Sequence, residues 1–588
     1  MNTYNPVWNL DTIFKGGSES SEFLSYVQNL ELNLQNLNEK LESFQSSELS
    51  TLLQAVQEVM KQVKEASAFV SCLQAQDVTD KKAGEWRGKI TTLFARFQTL
   101  LTKLDEHLLS IEDQEWRSLL DQNELRELTF VLNERKERAA EKLSLELESL
   151  ILDLGVDGYH GWSQMYDTIT GKISIPYEEN GEVEQLSIGQ AANKMSHPDR
   201  NVRQTIFSEW EKAWEESGDL ISHTLNHLAG FRLSTYKSRG WDEVLKEPLF
   251  INRMQKETLD TMWAVIEKHK PTFVEFLNKK AKLLNIDQMS WYDLDAPIAT
   301  ATSTVSYQEG ADFILKQFAR FGPKMTEFSR KAFDESWIEA EDRKGKRPGG
   351  FCTSFPEKKE SRIFMTYSGT ASNISTLAHE LGHAFHQHVM NDLDQLNQRY
   401  AMNVAETAST FAEMIVADAA VKNAESEEEK LALLEDKIQR SVALFMNIHA
   451  RFLFETSFYE ERKKGTVSQA RLNELMENAQ KEAYHHSLSE YHPTFWASKL
   501  HFHITGVPFY NFPYTFGYLF SLGIYARALE VGSEFEEQYI SLLRDTGRMT
   551  VEELAQKHLG VDLTKPDFWE KAIGLSIQDV HDFLEMTK

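Results

Sequence analysis

Apolar residues near the N-terminus recur at the spacing of an amphipathic helix. The first stripe has gaps of three and four residues and consists of Phe23, Val27, Leu30, Leu34, Leu37, Leu41 and Phe44. A second stripe follows the polar segment SSELS and consists of Leu53, Val56, Met60 and Val63. Because each stripe lies on one helix face, the two predict an antiparallel helical hairpin. We expect most of this region to serve packing.

Two segments break the helical pattern with β-forming residues. KISIPYEENGEVEQLSI places β-branched residues around an Asn-Gly turn and predicts a small hairpin near residues 172–188. Residues 345–370 contain two runs of β-formers around a charged turn, and Gly349 and Gly350 there permit close backbone approach. The rest is helical in pattern, except for the Gly, Pro and Tyr-rich residues 501–521. The sequence therefore predicts a mostly α-helical protein with a little β-structure.

Turn-forming residues suggest where the chain divides. Ser-His-Pro-Asp at residues 196–199 separates the segment with the first predicted hairpin from a new series of helical patterns. We predict an N-terminal helical domain over residues 1–195 and a second domain, which would be catalytic, over residues 196–588.

Composition excludes several classes of protein. Of the 588 residues 41% are hydrophobic and 26% are charged, as in ordinary globular proteins. The net charge of −27 argues against a nucleic-acid partner, which requires a basic face. The two cysteines, Cys72 and Cys352, form no metal or redox motif, and neither an export signal nor a long apolar run is visible. We predict a cytoplasmic protein without a membrane partner, and its oligomeric state stays open.

The motif with the clearest chemistry is HELGH at residues 379–383. An i, i+4 spacing places His379 and His383 on one helix face, roughly 6 Å apart along the axis, where one metal ion can bridge them. Glu380 lies beside that face and can act as a general base on a metal-bound water. The surrounding helix is apolar, so burial of these three polar side chains without a partner would be costly. A zinc-dependent peptidase is the prediction that follows.

A catalytic zinc ion usually takes a third protein ligand and leaves a position for water. Glu406 and Glu413 follow on the next predicted helix, seven residues apart on one face. The structural alternative for Glu406 is a helix-capping role with Asn403. His386 lies about 10 Å from His379 along the helix, too far to share a tetrahedral ion with it. A His383–His386 pair would leave Glu380 without a role, so we expect His386 and His388 to be packing or rim residues.

Four separated segments give the chain a family resemblance. They are WNLDTIF, RLSTYKSRGWDEVL, the stretch with GGFCTSF, HELGHAFH and ETASTFAE, and HITGVPFYNFPYTFGYLF. With these the chain resembles the oligoendopeptidase F group of the thimet-oligopeptidase-like zinc peptidases over most of its length. The resemblance implies a two-part helical bowl that encloses a deep catalytic cleft, with a small β-hairpin or sheet near the HExxH helix.

The same resemblance implies roles for particular residues. One zinc ion would be held by His379, His383 and Glu406, with Glu413 as a supporting group. A histidine and tyrosines of the C-terminal stretch would stabilise the tetrahedral intermediate; His503, Tyr510 and Tyr514 match best, and Tyr518 lies close by in sequence. Spacing alone does not tell which tyrosine meets the oxyanion. Residues 349–368 would form an edge strand that pairs with an extended peptide.

These inferences predict a zinc metalloendopeptidase that hydrolyses internal bonds of short oligopeptides. Zinc and Glu380 would activate a water, and Glu380 would then pass the proton to the leaving amine. Two alternatives stay open. An exopeptidase would need a cationic anchor for the free carboxylate of its substrate, and the sequence has arginines but no recognisable anchor. A helical peptide-binding or scaffolding protein would carry HELGH without catalysis.

Overall fold

The computed structural model of the chain describes residues 3–179, 181–298, 304–347 and 349–588. The helices within these ranges are α1 (Ser21–Glu42), α2 (Leu49–Gln76), α3 (Lys81–Ser110), α4 (Asp113–Leu120), α5 (Asn123–Arg126), α6 (Thr129–Ala140), α7 (Leu145–Gly155), α8 (Gly161–Thr170), α9 (Ile188–Lys194), α10 (Arg200–Ser238), α11 (Lys246–Ile251), α12 (Lys256–Leu283), α13 (Tyr307–Phe321), α14 (Pro323–Asp334), α15 (Ala371–Met390), α16 (Met402–Ala405), α17 (Thr407–Asn423), α18 (Glu427–Val442), α19 (Ile448–Arg462), α20 (Gln469–Ala483), α21 (Phe495–Ser498), α22 (Phe512–Val531), α23 (Phe535–Asp545), α24 (Val551–Leu559) and α25 (Pro566–Met586). The strands are β1 (Ile175–Glu179), β2 (Glu182–Leu186), β3 (Ile338–Glu339), β4 (Phe351–Phe355) and β5 (Glu360–Phe364). The prediction of a mostly α-helical protein is confirmed.

Short 3₁₀ and π segments join several of these helices. The 3₁₀ segments are Gly17–Glu19, Ser46–Glu48, Trp291–Asp293, Gln395–Gln398, Leu500–His503 and Gly532–Glu534, and the π segments are Val156–His160 and Ala443–Asn447. Among the described helices, none combines the length and hydrophobicity that crossing a membrane requires.

The chain forms two compact units, each built from separate stretches. The first unit consists of Met1–Lys142, Ser303–Ala419 and Arg527–Gly560, and the second of Leu143–Thr302, Ala420–Ala526 and Val561–Lys588. The predicted division at residue 195 lies inside the second unit. The reason is that α9 and α10, on either side of that residue, pack on each other and on the hairpin of β1 and β2.

The N-terminal helices build the core of the first unit. The predicted stripe from Phe23 to Leu41 is buried along α1, and the second stripe is buried along α2, which packs on α1 as expected for a hairpin. Phe44 is the exception, because α1 ends at Glu42 and the Phe44 ring instead packs 4.6 Å from the His107 ring. Phe355 and Phe364 of the β4–β5 hairpin belong to the same core.

A small sheet supports the HELGH helix in the first unit. β4 and β5 form the hairpin predicted from residues 345–370, with antiparallel register from Phe351 opposite Phe364 to Phe355 opposite Glu360. β3 adds to β5 in parallel, so β4 is an edge strand among the described strands. Both β4 and β5 contact α15. The prediction of β-structure beside the HELGH helix is confirmed.

The other predicted hairpin lies in the second unit. β1 and β2 pair in antiparallel register from Ile175 opposite Leu186 to Glu179 opposite Glu182. Gly181 has φ of 83°, the left-handed conformation that favours glycine in a tight turn. Asn180, the other residue of the predicted turn, lies outside the described residues.

A glycine sets the distance between α15 and the start of α17. At Gly382, a Cβ atom would lie 2.4 Å from the carbonyl oxygen of Ala408 and 2.7 Å from the Cα atom of Ser409. Both neighbours are backbone atoms, which cannot rotate away as a flexible side chain can. Gly382 therefore allows the HELGH helix to approach the following segment at backbone distance, and that segment carries Glu406 and Glu413.

We expect Gly382→Ala to destabilise the protein by about 1–3 kcal/mol, because the added methyl group forces two backbone segments apart. Gly574→Ala in the interior of α25 is a matched control, since a Cβ there meets no atom within 4 Å. The control should be neutral or slightly stabilising because alanine favours the helix. Urea unfolding in the presence of a chelator measures both changes without a contribution from bound metal. An equal effect of the two substitutions would contradict the packing argument.

Candidate active site

The helix that carries HELGH has a well-defined start. Thr370 caps α15: its hydroxyl oxygen accepts from the Asn373 backbone N–H at 3.2 Å, and the Asn373 side-chain oxygen accepts from the Thr370 N–H at 3.3 Å. Such reciprocal capping fixes where the helix begins. The helix buries Leu377 and Leu381 against the core of its unit, and this leaves His379 and His383 half-buried one turn apart.

The two motif histidines converge on Glu406. Their rings lie 4.9 Å apart and nearly perpendicular. Glu406 Oε2 lies 3.2 Å from His379 Nε2 and 3.6 Å from His383 Nε2. Ser409 Oγ donates to the same Glu406 oxygen at 2.8 Å. The third ligand predicted from sequence thus meets both histidines within the first unit.

Glu406 reaches this position from a junction between two helices. The sequence predicts that Glu406 and Glu413 share one helix, but α16 ends at Ala405 and α17 begins at Thr407. The alternative capping role is not supported, because Ala401 precedes α16 and no side chain caps that helix. The break at Glu406 turns its carboxylate toward α15 instead of along its own helix.

The donor set fits a zinc ion in chemistry and in spacing. His379, His383 and Glu406 each offer a ligand atom within 4.8 Å of the other two, and in the part of the chain that the structure describes they are the one such group. Zinc–nitrogen and zinc–oxygen bonds of roughly 2.0–2.1 Å in a tetrahedron place ligand atoms roughly 3.3–3.4 Å apart. The observed separations of 3.2 and 3.6 Å agree with that edge length.

Glu413 holds His379 from behind. Its Oε2 atom lies 3.1 Å from His379 Nδ1, and its side chain is 8% exposed. A carboxylate only accepts, so Nδ1 donates to Glu413, and Nε2 is the nitrogen of His379 that would bind a metal ion. A carboxylate behind a ligating histidine fixes the ring orientation and makes the ring a better donor.

The surroundings of Glu406 and His383 favour the protonation states in which these side chains can bind a metal ion. Burial would raise the pKa of Glu406, but the hydrogen bond with His379 and the charges of His383 and His379 lower it to about 2. Burial lowers the pKa of His383 to about 4, against the opposing effect of Glu406. At neutral pH this gives a carboxylate and a neutral imidazole, the forms that bind metal.

Glu380 is buried beside this group. The residue is 7% exposed, and in the described structure its Oε2 atom has no hydrogen-bond partner. Burial raises its pKa to about 7, and Glu406 adds to the increase while His379 opposes it. A carboxyl group with a pKa near neutrality can both accept and return a proton.

The start of β4 lies next to Glu380. A Cβ built on Gly350 would be only 3.5 Å from Glu380 Oε1, so the Gly350 backbone borders the carboxylate. Gly349, the preceding residue, has φ of 91°, a left-handed conformation that favours glycine. Cys352 in β4 is half-buried and forms no disulfide. Pairing of this edge with a peptide stays a prediction, and the structure adds that the edge borders the candidate base.

The two later histidines of α15 have packing roles, as expected. His386 is fully buried, with its Nε2 atom 2.9 Å from Thr546 Oγ1 and its ring stacked on Tyr400 at 4.3 Å. His388 is exposed at the end of the helix and contacts the Phe328 ring at 4.7 Å.

His503 does not have the environment of a donor to a substrate. It is fully buried in the second unit, where its ring stacks on Tyr166 at a centroid distance of 3.9 Å. Its Nε2 atom lies 3.3 Å from the Trp496 carbonyl oxygen and its Nδ1 atom 3.4 Å from Thr224 Oγ1. The role predicted for His503 is therefore not supported by its placement, because both ring nitrogens face core groups.

His501, which the sequence reasoning did not single out, lies with the predicted tyrosines. Its ring centroid is 5.2 Å from that of Tyr510 and 6.1 Å from that of Tyr514, and the two tyrosines are 5.3 Å apart. All three are half-buried, and His501 Nδ1 has no hydrogen-bond partner in the described structure. The one sequence signal for His501 was that it lies two residues before His503, since two histidines at that spacing can face different environments.

Tyr518 is a core residue. It is 8% exposed, and its hydroxyl group lies 2.9 Å from Ser441 Oγ. Burial raises the pKa of its phenol. The Tyr518 hydroxyl is thus satisfied inside the second unit. Tyr518 is buried, whereas Tyr510 and Tyr514 are half-buried.

Buried polar groups hold the segment that carries Tyr510. Glu455 accepts from the Phe509 N–H at 3.3 Å and from Asn511 Nδ2 at 2.6 Å. Phe509 has φ of 52°, a conformation that is costly for an aromatic residue and persists only where neighbours enforce it. The two bonds to Glu455 provide that constraint and place Tyr510 between them.

Sequence comparisons identify related peptidases. The model of peptidase family M3 matches residues 194–575, and a second model, described as oligopeptidase F, matches residues 107–174. The oligoendopeptidase F homolog of Lactococcus lactis subsp. lactis strain IL1403 is 22% identical over 580 residues, which cover 97% of this chain and 95% of the relative. Oligopeptidase PepF of Bacillus subtilis strain 168 is 22% identical over 597 residues, which cover 98% of this chain and 87% of the relative.

Solved structures share the fold. A Chlamydophila abortus protein superposes with a TM-score of 0.85 at 18% identity, covering 99% of this chain and 98% of that one. Oligoendopeptidase-F from Enterococcus faecium superposes with a TM-score of 0.70 at 18% identity, covering 96% of this chain and 98% of that one. Since the M3 model spans well over half of the sequence, the chain belongs to peptidase family M3.

Proposed function

We propose that this peptidase is a zinc-dependent endopeptidase that hydrolyses internal bonds of short oligopeptides. The observation that carries the proposal is the convergence of His379, His383 and Glu406 within 4.8 Å of one another, beside the buried carboxyl group of Glu380. Membership of family M3 supports hydrolysis of peptides, and the relatives named oligoendopeptidase F support oligopeptides as the substrate class.

The three converging side chains would hold one zinc ion. A zinc ion bound there would supply a Lewis acid for the scissile carbonyl and the attacking water. Glu413 keeps the His379 ring oriented through Nδ1, and Ser409 donates a hydrogen bond to the Glu406 carboxylate. These contacts limit the movement of two ligands and so favour a preformed site.

Glu380 would move the protons. Its Oε2 atom is free to accept a hydrogen from the attacking water, and a pKa near 7 allows the same carboxyl group to release that proton to the leaving amine. Desolvation by burial is the largest influence on its proton affinity.

The family resemblance implies oxyanion donors from the C-terminal stretch, and we propose His501, Tyr510 and Tyr514 for that role. His501 replaces His503 in the assignment, because His501 clusters with both tyrosines whereas His503 is enclosed by core groups. A size limit on substrates and a cytoplasmic location remain predictions.

Glu380→Gln should lower kcat on the order of 10³-fold while zinc stays bound, because the base is lost and the three ligands are kept. His383→Gln should lose both zinc and activity. His388→Gln is the matched control on the same helix, since His388 is exposed and outside the ligand group. Metal content by mass spectrometry and peptide hydrolysis are measured on each protein. Near wild-type activity of Glu380→Gln would refute the proposed base.

A peptide blocked by N-acetyl and C-terminal amide groups separates an endopeptidase from an exopeptidase. We expect cleavage at an internal bond, because the proposed mechanism requires no free terminus. Product masses identify the bond, and the same peptide with free ends serves as the control. Cleavage of the free peptide only, with release of terminal fragments, would support an exopeptidase instead.

His501→Gln and His503→Gln distinguish the two candidate histidines. Loss of an oxyanion donor at His501 should lower kcat roughly 10²- to 10³-fold with unchanged thermal stability. His503→Gln should mainly lower thermal stability, because it disturbs a fully buried stacked ring. Steady-state kinetics and thermal unfolding of both variants provide the comparison. The reverse pattern would return the catalytic role to His503.

A further inference from the structure

Two cationic side chains converge on one aromatic ring in the second unit. The Arg451 guanidinium of α19 lies 5.3 Å from the ring centroid of Phe495, and the Lys499 ammonium lies 5.0 Å from the same centroid. Lys499 is two residues before His501, and Arg451 is close enough to Tyr514 for the two side chains to interact electrostatically. The pair therefore adjoins the group formed by His501, Tyr510 and Tyr514.

Neither cation has an anionic partner among the described residues. Arg451 Nε donates to Asn447 Oδ1 at 2.9 Å, a neutral acceptor, and the Lys499 ammonium lies over the Phe495 ring. Among the residues that the structure describes, no carboxylate forms an ion pair with Arg451 or Lys499. The charge of Asp295 favours the charged form of Lys499, but the two side chains form no ion pair.

Burial makes this arrangement costly. Both side chains are half-buried, and desolvation lowers the pKa of Lys499 to about 8 and that of Arg451 to about 10, with each cation also disfavouring a positive charge on His501. A chain with net charge −27 has abundant carboxylates to neutralise such a pair, yet no described carboxylate forms an ion pair with either cation. Partly buried cations without partners are compensated when an anion binds between them.

We propose that Arg451 and Lys499 bind a carboxylate group of the peptide substrate. A guanidinium group matches the planar geometry of a carboxylate with two parallel hydrogen bonds, and the lysine adds a second positive charge. The inference rests on the proposed function, since the adjoining His501 and tyrosines are its candidate oxyanion donors. The carboxylate is either the C-terminus of the peptide or an acidic side chain, and both have the same chemistry.

Four versions of one internally cleaved peptide test the proposal. They combine a C-terminal acid or amide with an internal Glu or Gln. We expect one carboxylate to raise kcat/KM about tenfold or more over its neutral counterpart, as a charge-assisted hydrogen bond would. Dependence on the terminal group identifies the C-terminus, and dependence on the internal residue identifies a side chain. Equal kcat/KM for all four peptides would overturn the inference.

Substitutions assign the preference to the two cations. Arg451→Gln and Lys499→Met should each reduce the ratio of kcat/KM between charged and neutral peptides toward one. The ratio cancels any general loss of activity caused by the substitution. Arg462→Gln is the matched control on the same helix, because the Arg462 side chain bonds to the Asn226 carbonyl oxygen instead, and it should retain the wild-type ratio. An unchanged ratio in both test variants would refute the assignment.

Binding separates failure of this inference from failure of the proposed function. The same peptides are titrated against the Glu380→Gln protein by calorimetry. Tighter binding of the charged peptide, without cleavage by the wild-type protein, would reject the endopeptidase and keep the anion site. Equal binding of charged and neutral peptides, with cleavage intact, would reject the anion site alone.

Discussion

The candidate site depends on the backbone contact between α15 and the segment that begins α17. Gly382 removes the Cβ atom that would otherwise meet the Ala408 carbonyl oxygen at 2.4 Å. At that distance, Glu406 and Glu413 both reach the histidines of the facing helix, one at Nε2 and the other at Nδ1 of His379. A wider separation would remove both contacts together, because side chains of fixed length cannot follow the backbone. The glycine of HELGH is thus a packing requirement as well as part of a chemical motif.

The surroundings of Glu406 and Glu380 shift the pKa values of these two carboxyl groups in opposite directions. Glu406 faces two imidazoles and is held as a carboxylate, with a pKa of about 2. For Glu380, burial outweighs the opposing effect of His379, and the pKa is raised to about 7. The difference follows from neighbours and not from residue type, since both groups are glutamates. One carboxylate is suited to hold a cation, and the other is suited to exchange protons.

The second unit contains two cations that have no ion-pair partner among the described residues. Arg451 and Lys499 share the Phe495 ring without a carboxylate partner among the described residues, although the chain as a whole is strongly acidic. By contrast, the buried Glu455 nearby holds the backbone around Tyr510 with two hydrogen bonds. The contrast between satisfied structural groups and unpaired cations is what marks the latter as candidates for ligand binding.

The sequence by itself determined the features that depend on local geometry. The helical stripes of α1 and α2, the two hairpins and the i, i+4 pair of His379 and His383 follow from periodicities of a few residues. Only the tertiary structure decided what depends on distant partners. It broke the helix at Glu406, enclosed His503 while leaving His501 beside the tyrosines, and grouped the N-terminal helices with the HELGH helix in one compact unit. The physical reason is that burial and close packing are set by residues far apart in the chain, which local patterns do not contain.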